Sequence, residues 1–317
     1  MTSFLLPGGV NEIGDFAFAA SGLVTVAIAS NVISIGNQAY FECANLTAIT
    51  VDSLNPAYSS VSGVLFDKST NTLIEYPLGK AATSYEIPRS VGTVGDYAFR
   101  GCTRLNDITI PNSVSHIGQQ AFSRCTNLTL VGIGNSVARI DQAAFELCTS
   151  LVSVTIPNSV SSIGTDAFRA CTSLRNVTVG YGTTNLEANA FLGCANLTGV
   201  YFQGSAPNAD WTVFAGDDNA TVYYLPRTTG WSDFRWNANI PTVLWNPSIQ
   251  AATVQSGQFG FAITGTPDIP IAVAACTDPA NPNWLTLQTC TLTNGSIYFS
   301  DPDWTNYPAR VYRIRSP

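Results

Sequence analysis

The sequence predicts a mainly β protein in which a solenoid of 23-residue units precedes a small β-sandwich. The segment I-P-N-S-V-S-H-I-G-Q-Q-A-F, which begins at Ile110, recurs almost unchanged twice more. Two columns repeat at intervals of 23 residues: Phe122, Phe145, Phe168 and Phe191, and Cys102, Cys125, Cys148, Cys171 and Cys194. Self-similarity at such a period is typical of a solenoid, whose units bury their apolar faces by stacking on each other. After about Phe202 the period fades, and short alternating apolar runs replace it.

Each unit is predicted to begin with a β-strand. In one unit, Val154 and Ile156 alternate with Ser153 and Thr155, which places the first pair inward and the second pair outward. Pro157 follows, and proline suits the end of a hydrogen-bonded ladder because it lacks an N–H donor.

The rest of each unit is predicted to contain a tight turn and a short helical segment. Glycine follows the second inward aliphatic residue in five units, and we expect a positive φ there. These glycines are Gly14, Gly36, Gly95, Gly118 and Gly164. The stretch x-x-A-F-x-x-C is too short for an independent helix, so we expect a single helical turn that packs Phe168 into the core.

The period is interrupted between Cys43 and Cys102, which lie 59 residues apart. Two alternating apolar runs flank Asp67 to Asn71 and predict a β-hairpin that pairs onto the solenoid. After Asn246, about six short strands separated by turn residues predict the sandwich. The predicted organisation is a solenoid at residues 1–202 with an insertion at about 52–85, a degenerate last repeat and cap at 203–245, and the sandwich at 246–317.

Composition and charge argue against several functional classes. The net charge is −7, and the 14 lysines and arginines form no run, which argues against a nucleic-acid partner. No apolar run reaches the ~18 residues of a membrane span. The composition is low in charge and rich in Ser, Thr and Asn, which is commoner in secreted proteins, and we expect an extracellular or cell-surface monomer.

The N-terminal segment, residues 1–10, is not a signal peptide, because it has neither a basic start nor a long apolar stretch. Residues 6–14 are already in phase with the repeat, and no capping segment precedes them. Solenoid ends normally need a polar cap. We therefore expect a leader or further repeats before this chain.

Candidate catalytic and metal-binding residues are few. His116 is the only histidine, and it occupies a variable position that Arg139 and Ser162 fill in other units. We interpret it as a surface turn residue, since no nucleophile motif such as G-x-S-x-G accompanies it. Asp217-Asp218 and Asp301-Pro302-Asp303 lack an EF-hand pattern and are interpreted as solvated turns, with calcium binding as the alternative. We therefore predict no enzymatic activity, no metal and no cofactor.

The cysteine column is predicted to be buried and free of disulfides. Cysteine is a small, readily buried residue, and Ser21 holds the matching place in the first unit. Parallel side chains on stacked turns keep their Cβ atoms farther apart than the ~3.8 Å that a disulfide prefers. Near the C-terminus, antiparallel pairing would place Cys290 opposite Pro270, too far from Cys276 for a bridge.

The repeats resemble BspA-type leucine-rich repeats, on the strength of I-P-N-S-V-S-S-I-G-T-D-A-F-R-A-C-T-S-L at Ile156 to Leu174 and its copies. The resemblance implies a leucine-rich-repeat solenoid and a non-enzymatic bacterial surface or secreted protein that acts in adhesion or protein binding. The tail, from W-N-P at Trp245 to Pro317, is similar to a C-terminal module of exported proteins of Verrucomicrobia-like bacteria. That similarity implies an Ig- or fibronectin-like β-sandwich that serves as an anchor or spacer.

The outward face of the repeat strands is the predicted binding surface for a protein partner. Its candidate residues are Thr109, Thr155, Arg175, Asn176, Thr178 and Tyr201. The last four are expected to form one patch, because neighbouring strands lie only ~4.8 Å apart. The high β-propensity of threonine explains part of this pattern without any partner.

Two alternatives to a protein partner stay open. A carbohydrate-binding module would use Trp211, Trp231 and Trp236, although the same rings could instead pack as a cap. A purely structural spacer would bind nothing.

Overall fold

The structure is a computed structural model, and it describes residues 3–7, 9–255, 257–280 and 283–316. Residues 1, 2 and 8 of the predicted solenoid, and residues 256, 281, 282 and 317 of the predicted sandwich, lie outside this description. The repeat region contains β1 (Ser3–Leu5), β2 (Glu12–Ile13), β3 (Thr25–Ile28), β4 (Ser34–Ile35), β5 (Ala48–Val51), β6 (Tyr58–Val61), β7 (Val64–Asp67), β8 (Thr72–Glu75), β9 (Ser84–Glu86), β10 (Thr93–Val94), β11 (Asp107–Thr109), β12 (His116–Ile117), β13 (Leu130–Gly132), β14 (Arg139–Ile140), β15 (Ser153–Ile156), β16 (Ser162–Ile163), β17 (Asn176–Val179), β18 (Asn185–Leu186), β19 (Gly199–Phe202), β20 (Thr221–Tyr224), α1 (Trp231–Asn237) and β21 (Thr242–Leu244). The C-terminal region contains β22 (Ser248–Gln255), β23 (Gln258–Thr264), β24 (Pro270–Cys276), β25 (Leu285–Thr291), β26 (Ser296–Asp301) and β27 (Val311–Arg315), with 3₁₀ turns at Thr293–Gly295 and Trp304–Asn306.

The predicted fold class, a mainly β solenoid of 23-residue turns followed by a small sandwich, is confirmed. Each regular unit contributes one longer and one two-residue strand, and equivalent strands of successive units pair in parallel. The longer strands form sheets β1-β3-β5, β9-β11-β13 and β15-β17-β19-β20-β21. No helix among the described residues is long and apolar enough to cross a membrane.

A column of stacked aromatic rings forms the centre of the solenoid core. Phe99, Phe122, Phe145, Phe168, Phe191 and Phe214 follow each other with ring centroids 4.9 to 5.5 Å apart. Such spacing suits offset-stacked rings. The column explains the 23-residue period directly, because each ring is covered by the next one.

The segment around each phenylalanine is not the helical turn that we predicted. Two residues in each of the segments around Phe99 to Phe191 have positive φ, for example Asp166 (58°) and Ala170 (56°) on either side of Phe168, whereas the segment around Phe214 has one, Gly216. Helical backbone has negative φ, so the chain forms two successive tight turns instead. The reason is pairing between coils: the Phe168 N–H donates to Ala190 O at 2.8 Å, whereas a helix would direct it along its own chain.

The predicted positive φ at the glycines after the inward aliphatic residues is also wrong. None of them has one, and Gly118 and Gly164 instead lie against the preceding coil. A Cβ added at Gly164 would lie 2.7 Å from the backbone carbon of Asp141. Glycine is therefore needed there for close approach of two backbones rather than for a left-handed turn.

The insertion forms a three-stranded antiparallel unit, β6-β7-β8, which contains the predicted hairpin. Strand β8 pairs in parallel with β10 and so joins the insertion to the sheet of two-residue strands. Strand β7 separates two parts of the core: Val64 and Phe66 pack toward the C-terminal part and Leu65 toward the N-terminal part.

Helix α1 covers the end of the repeat array. Its Trp231 and Phe234 are buried, and their rings lie 5.2 and 5.8 Å from Phe202. Beyond it, β22-β23-β26 and β25-β24-β27 form two antiparallel sheets around Phe261, Ile271 and Phe299.

Candidate functional site: the strand face

The strand face is the surface formed by the outward side chains of the longer strands. One column of this face runs through equivalent positions of successive units, paired in register within each sheet. Its members from β9 onward are Glu86, Thr109, Gly132, Thr155, Thr178, Tyr201, Tyr223 and Val243. Along this column the face divides into an open part and a covered part.

The open part comprises β9, β11, β13 and β15. Glu86, Thr109 and Thr155 are all exposed there. Gly132 interrupts the column without a side chain, and a Cβ built on it would have nothing closer than 4.0 Å. A groove of about 580 Å³ lies beside this gap, between Thr109 and Arg89. The open part therefore presents hydroxyls, a carboxylate and a shallow depression.

The covered part begins at β17, and it corrects the predicted patch. Tyr201 is only 5 % exposed, so it is not the accessible aromatic that the sequence led us to expect. Its ring stacks on Tyr223 at 4.9 Å and meets the edge of Trp245 at 6.4 Å. It also lies across Gly199, where an added Cβ would come within 2.7 Å of the ring. Burial raises the pKa of the Tyr201 hydroxyl.

The sandwich is what covers this part of the face. The Thr178 hydroxyl lies 3.4 Å from that of Ser316, just after β27. A cleft of about 410 Å³ remains between β27 and the solenoid, and Thr178, Tyr201 and the 66 % exposed Tyr181 line it. Arg175 is exposed and Asn176 is half-buried at the margin. The four residues of the predicted patch thus occupy three different environments.

A family model described as BspA type leucine rich repeat region matches residues 1–77 and 78–228 with six copies. The chain belongs to this family. The BspA-type repeats therefore extend over most of the chain, and past the point where the period fades in the sequence. No match was found among curated proteins.

Solved structures of other leucine-rich repeat proteins share the fold. The pneumococcal vaccine antigen PcpA is 19 % identical, with a TM-score of 0.65, over 78 % of this chain and 68 % of PcpA. A leucine rich cell surface protein from Faecalibacterium prausnitzii is 23 % identical (TM-score 0.56; 76 % of this chain, 62 % of the other). A leucine-rich repeat protein from Eubacterium ventriosum is 24 % identical (TM-score 0.53; 69 % and 64 %). This chain thus spans roughly two thirds of each of these structures.

The cysteine column of the BspA-type repeats is buried and its thiols form no disulfides among the described residues, as predicted. The Cys171 thiol donates to Phe145 O at 3.1 Å, and Cys125, Cys148 and Cys194 repeat this contact. Burial raises the pKa of the Cys125 thiol to about 12. Because the thiolate is the reactive form, these thiols are structural donors and not nucleophiles. In the sandwich, Cys290 lies opposite Ile271 in the strand register, one residue from the predicted Pro270. Neither Cys276 nor Cys290 forms a disulfide within the described residues.

Two other residues considered for chemistry, His116 and Asp301, are engaged in structural contacts. His116 is not the surface turn residue that we predicted: it is half-buried in β12, where its Nε2 is 3.0 Å from the Asp141 carboxylate. Asp301 is not a solvated turn: it is buried, pairs with Arg310 at 2.5 Å and accepts the Tyr312 hydroxyl at 2.7 Å. Within the described residues, no cluster of three His, Cys, Asp or Glu side chains could hold a metal ion.

Proposed function

We propose that this protein is a non-enzymatic, extracellular or cell-surface binding protein whose open strand face contacts a protein partner. The observation that carries the proposal is the division of the strand face. The sandwich covers the face from Thr178 onward, while Thr109 and Thr155 at equivalent positions stay exposed. Membership of the BspA-type family supports a binding role, and the cell-surface and antigen descriptions of two structural neighbours support the location.

The chemistry of the open part favours a partner with basic and hydrogen-bonding groups. Glu86 and Asp107 place two carboxylates on neighbouring strands, beside the hydroxyl of Thr109. Exposed Leu130 and Val152 add apolar area next to them. Protein interfaces commonly combine an apolar centre with a polar margin and bury ≈ 800 Å² on each partner, which a surface of four neighbouring strands can supply.

A binding experiment with matched variants tests this proposal. The labelled protein is applied to an array of purified extracellular proteins, and hits are titrated by surface plasmon resonance. Thr109→Arg and Thr155→Arg place bulk and positive charge on the open part, so each is expected to raise the Kd at least about tenfold, or ~1.4 kcal/mol. Thr172→Arg changes an exposed threonine outside the strands and serves as the control. Binding that Thr109→Arg and Thr155→Arg leave intact would refute a role for the open strand face.

Carbohydrate binding is a second candidate, because two of the three tryptophans considered for it are exposed. Trp211 is 68 % and Trp236 80 % exposed, each beside a shallow pocket, whereas Trp231 is buried in the cap. A glycan array probed with wild type and with Trp211→Ala/Trp236→Ala tests this idea. Glycan binding that the double variant loses would support it. If the protein binds neither a protein nor a glycan, the remaining hypothesis is that it is a structural spacer.

A further inference from the structure

A second surface, where the insertion meets the solenoid, carries three convergent arginines. Arg100, Arg104 and Arg124 line a pocket of about 480 Å³ together with Phe41 and Leu78. Phe41 precedes the insertion, Leu78 lies within it, and the arginines follow it. The pocket therefore exists because the insertion interrupts the repeat, and it shares no lining residue with the strand face.

Arg100 is held in place by contacts on its flat face and at one nitrogen. Its guanidinium carbon lies 4.7 Å from the centre of the Phe41 ring, a cation–π distance. One terminal nitrogen donates to the Gln38 side-chain oxygen, while Nε is buried without a hydrogen-bond partner in the described structure. The buried Nε is closed to a ligand, but an arginine ordered in this way can offer its remaining terminal N–H groups to an external acceptor.

The positive charge of this pocket is not compensated by a paired carboxylate. Arg139, Arg169 and Arg310 each have a carboxylate within 4 Å, but Arg100, Arg104 and Arg124 have none among the described residues. Glu42 lines the pocket but pairs with none of the three arginines. Burial and then the charge of Arg124 lower the pKa of Arg100, and Tyr97, Glu146 and Glu42 oppose this shift only in part. Three unpaired arginines in one pocket are unexpected in a chain of net charge −7, and an anion would relieve their repulsion.

We propose that this arginine pocket binds an acidic peptide segment of a protein partner, with a carboxylate between the guanidinium groups and a neighbouring apolar side chain against Phe41 and Leu78. Guanidinium groups bind carboxylates through paired N–H donors, which provides strength and direction. The apolar wall favours an acidic peptide over a sulfated saccharide, whose hydroxyls would be desolvated against it. The inference rests on the proposed function in taking the partner to be a protein, but it uses a different surface.

The probe is a fluorescein-labelled peptide of alternating glutamate and leucine, titrated with the full chain and followed by fluorescence polarisation. Arg104→Gln/Arg124→Gln removes two exposed charges and leaves Arg100 in place. Arg227→Gln/Arg235→Gln removes two other exposed arginines and controls for net charge. We expect the pocket variant to raise the peptide Kd at least about tenfold relative to wild type, the control variant to bind like wild type, and a glutamine-for-glutamate peptide not to bind.

Each other outcome overturns the proposal. Equal affinities for the pocket and control variants would show non-specific attraction, and an absence of peptide binding by wild type would remove the site. Tighter binding of a heparin-derived disaccharide, lost in the pocket variant, would assign the pocket to sulfated saccharides instead. Thr109→Arg, which tests the strand face, is expected to leave peptide affinity unchanged, so failure of one proposal is distinguishable from failure of the other.

Discussion

Two stretches of the same solenoid place equivalent residues in different environments. In the uniform stretch, residues 87–156, the outward Thr155 is exposed. In the closing stretch, residues 174–245, the outward Tyr201 is buried against Tyr223 and Trp245, which in turn pack against the core of the sandwich. The position within a repeat therefore fixes the direction of a side chain, while the neighbouring structure decides whether that side chain meets water.

The core shows the same contrast at the position of the cysteine column. The Cys194 thiol donates to Phe168 O at 3.2 Å. One period later the position is occupied by Asp217, which is buried. Its carboxyl oxygens have no hydrogen bond of standard geometry within the described residues, although the backbone N–H groups of Cys194 and Gly193 lie close enough to stabilise its charge in part. Burial raises the pKa of this carboxyl to about 8. The sequence-based view of Asp217 as a solvated turn residue is therefore wrong, because this carboxyl lies inside the closing coil.

The largest expected effect is on the aromatic column. Phe145→Ala leaves a cavity between two stacked rings and should lower the free energy of unfolding by ~3–5 kcal/mol. Phe214→Ala should cost less, because Phe214 stacks on only one ring of the column and is already slightly exposed. Urea denaturation of both variants measures the difference. Equal losses of unfolding free energy would contradict the prediction that the last ring of the column contributes less than a ring in the middle.

The next effect compares the two parts of the strand face. Tyr201→Ala removes a ring packed against Tyr223 and Trp245 and should cost ~2–4 kcal/mol, somewhat below a fully buried aromatic. Thr155→Ala, at the equivalent exposed position, should change stability by no more than ~0.5 kcal/mol. Thermal unfolding of Tyr201→Ala and Thr155→Ala measures the two effects. A Tyr201→Ala variant as stable as wild type would contradict the burial of this ring.

A pH-dependent effect is expected at Asp217. The folded protein holds the proton up to about pH 8, whereas the unfolded chain releases it near pH ~4. Between these values the folded state binds more protons, so this carboxyl makes the free energy of unfolding fall as the pH rises. Asp217→Asn removes that dependence and should stabilise the protein at pH ~8 relative to wild type by ~1–3 kcal/mol more than it does at pH ~4.

Asp233→Asn, at an exposed position in α1 whose charge is not among the causes of the raised pKa of Asp217, is the control for this pH effect. Urea denaturation at several pH values should show that the control variant follows the wild-type curve. Wild-type and Asp217→Asn curves that run parallel across this range would show that Asp217 is ionised in the folded protein.

The smallest effect is expected at the cysteine column. Cys171→Ser keeps a donor for Phe145 O and should cost only ~1 kcal/mol. Ser21 occupies this position in the first unit, where its hydroxyl lies 3.3 Å from the Cys43 thiol. Chemical denaturation of Cys171→Ser and Phe145→Ala side by side measures both losses of stability. A loss for Cys171→Ser as large as that for Phe145→Ala would contradict the prediction.

Periodicity was sufficient to predict the solenoid, because each Phe ring stacks on its own copy one unit away and each Cys thiol repeats the same contact with the preceding coil. It could not predict the backbone of the turns, since the positive φ at Asp166 follows from pairing with the next coil and not from residue preference. It also could not separate Thr155 from Tyr201, because the covering sandwich comes from a distant part of the chain. The only local signal was the appearance of Tyr201 and Tyr223 at positions that threonine fills elsewhere.

Hydroxyl-radical footprinting of the native protein tests the division of the strand face most directly, since it needs no substitution. Tyr181 and Tyr201 have the same intrinsic reactivity and line the same cleft, but they are 66 % and 5 % exposed. Mass spectrometry should find Tyr201 oxidised at least about tenfold more slowly than Tyr181, with Trp231 protected relative to Trp211 in the same sample. Equal oxidation of the two tyrosines would show that the sandwich does not cover the closing part of the strand face, and the binding surface would then extend to Tyr201.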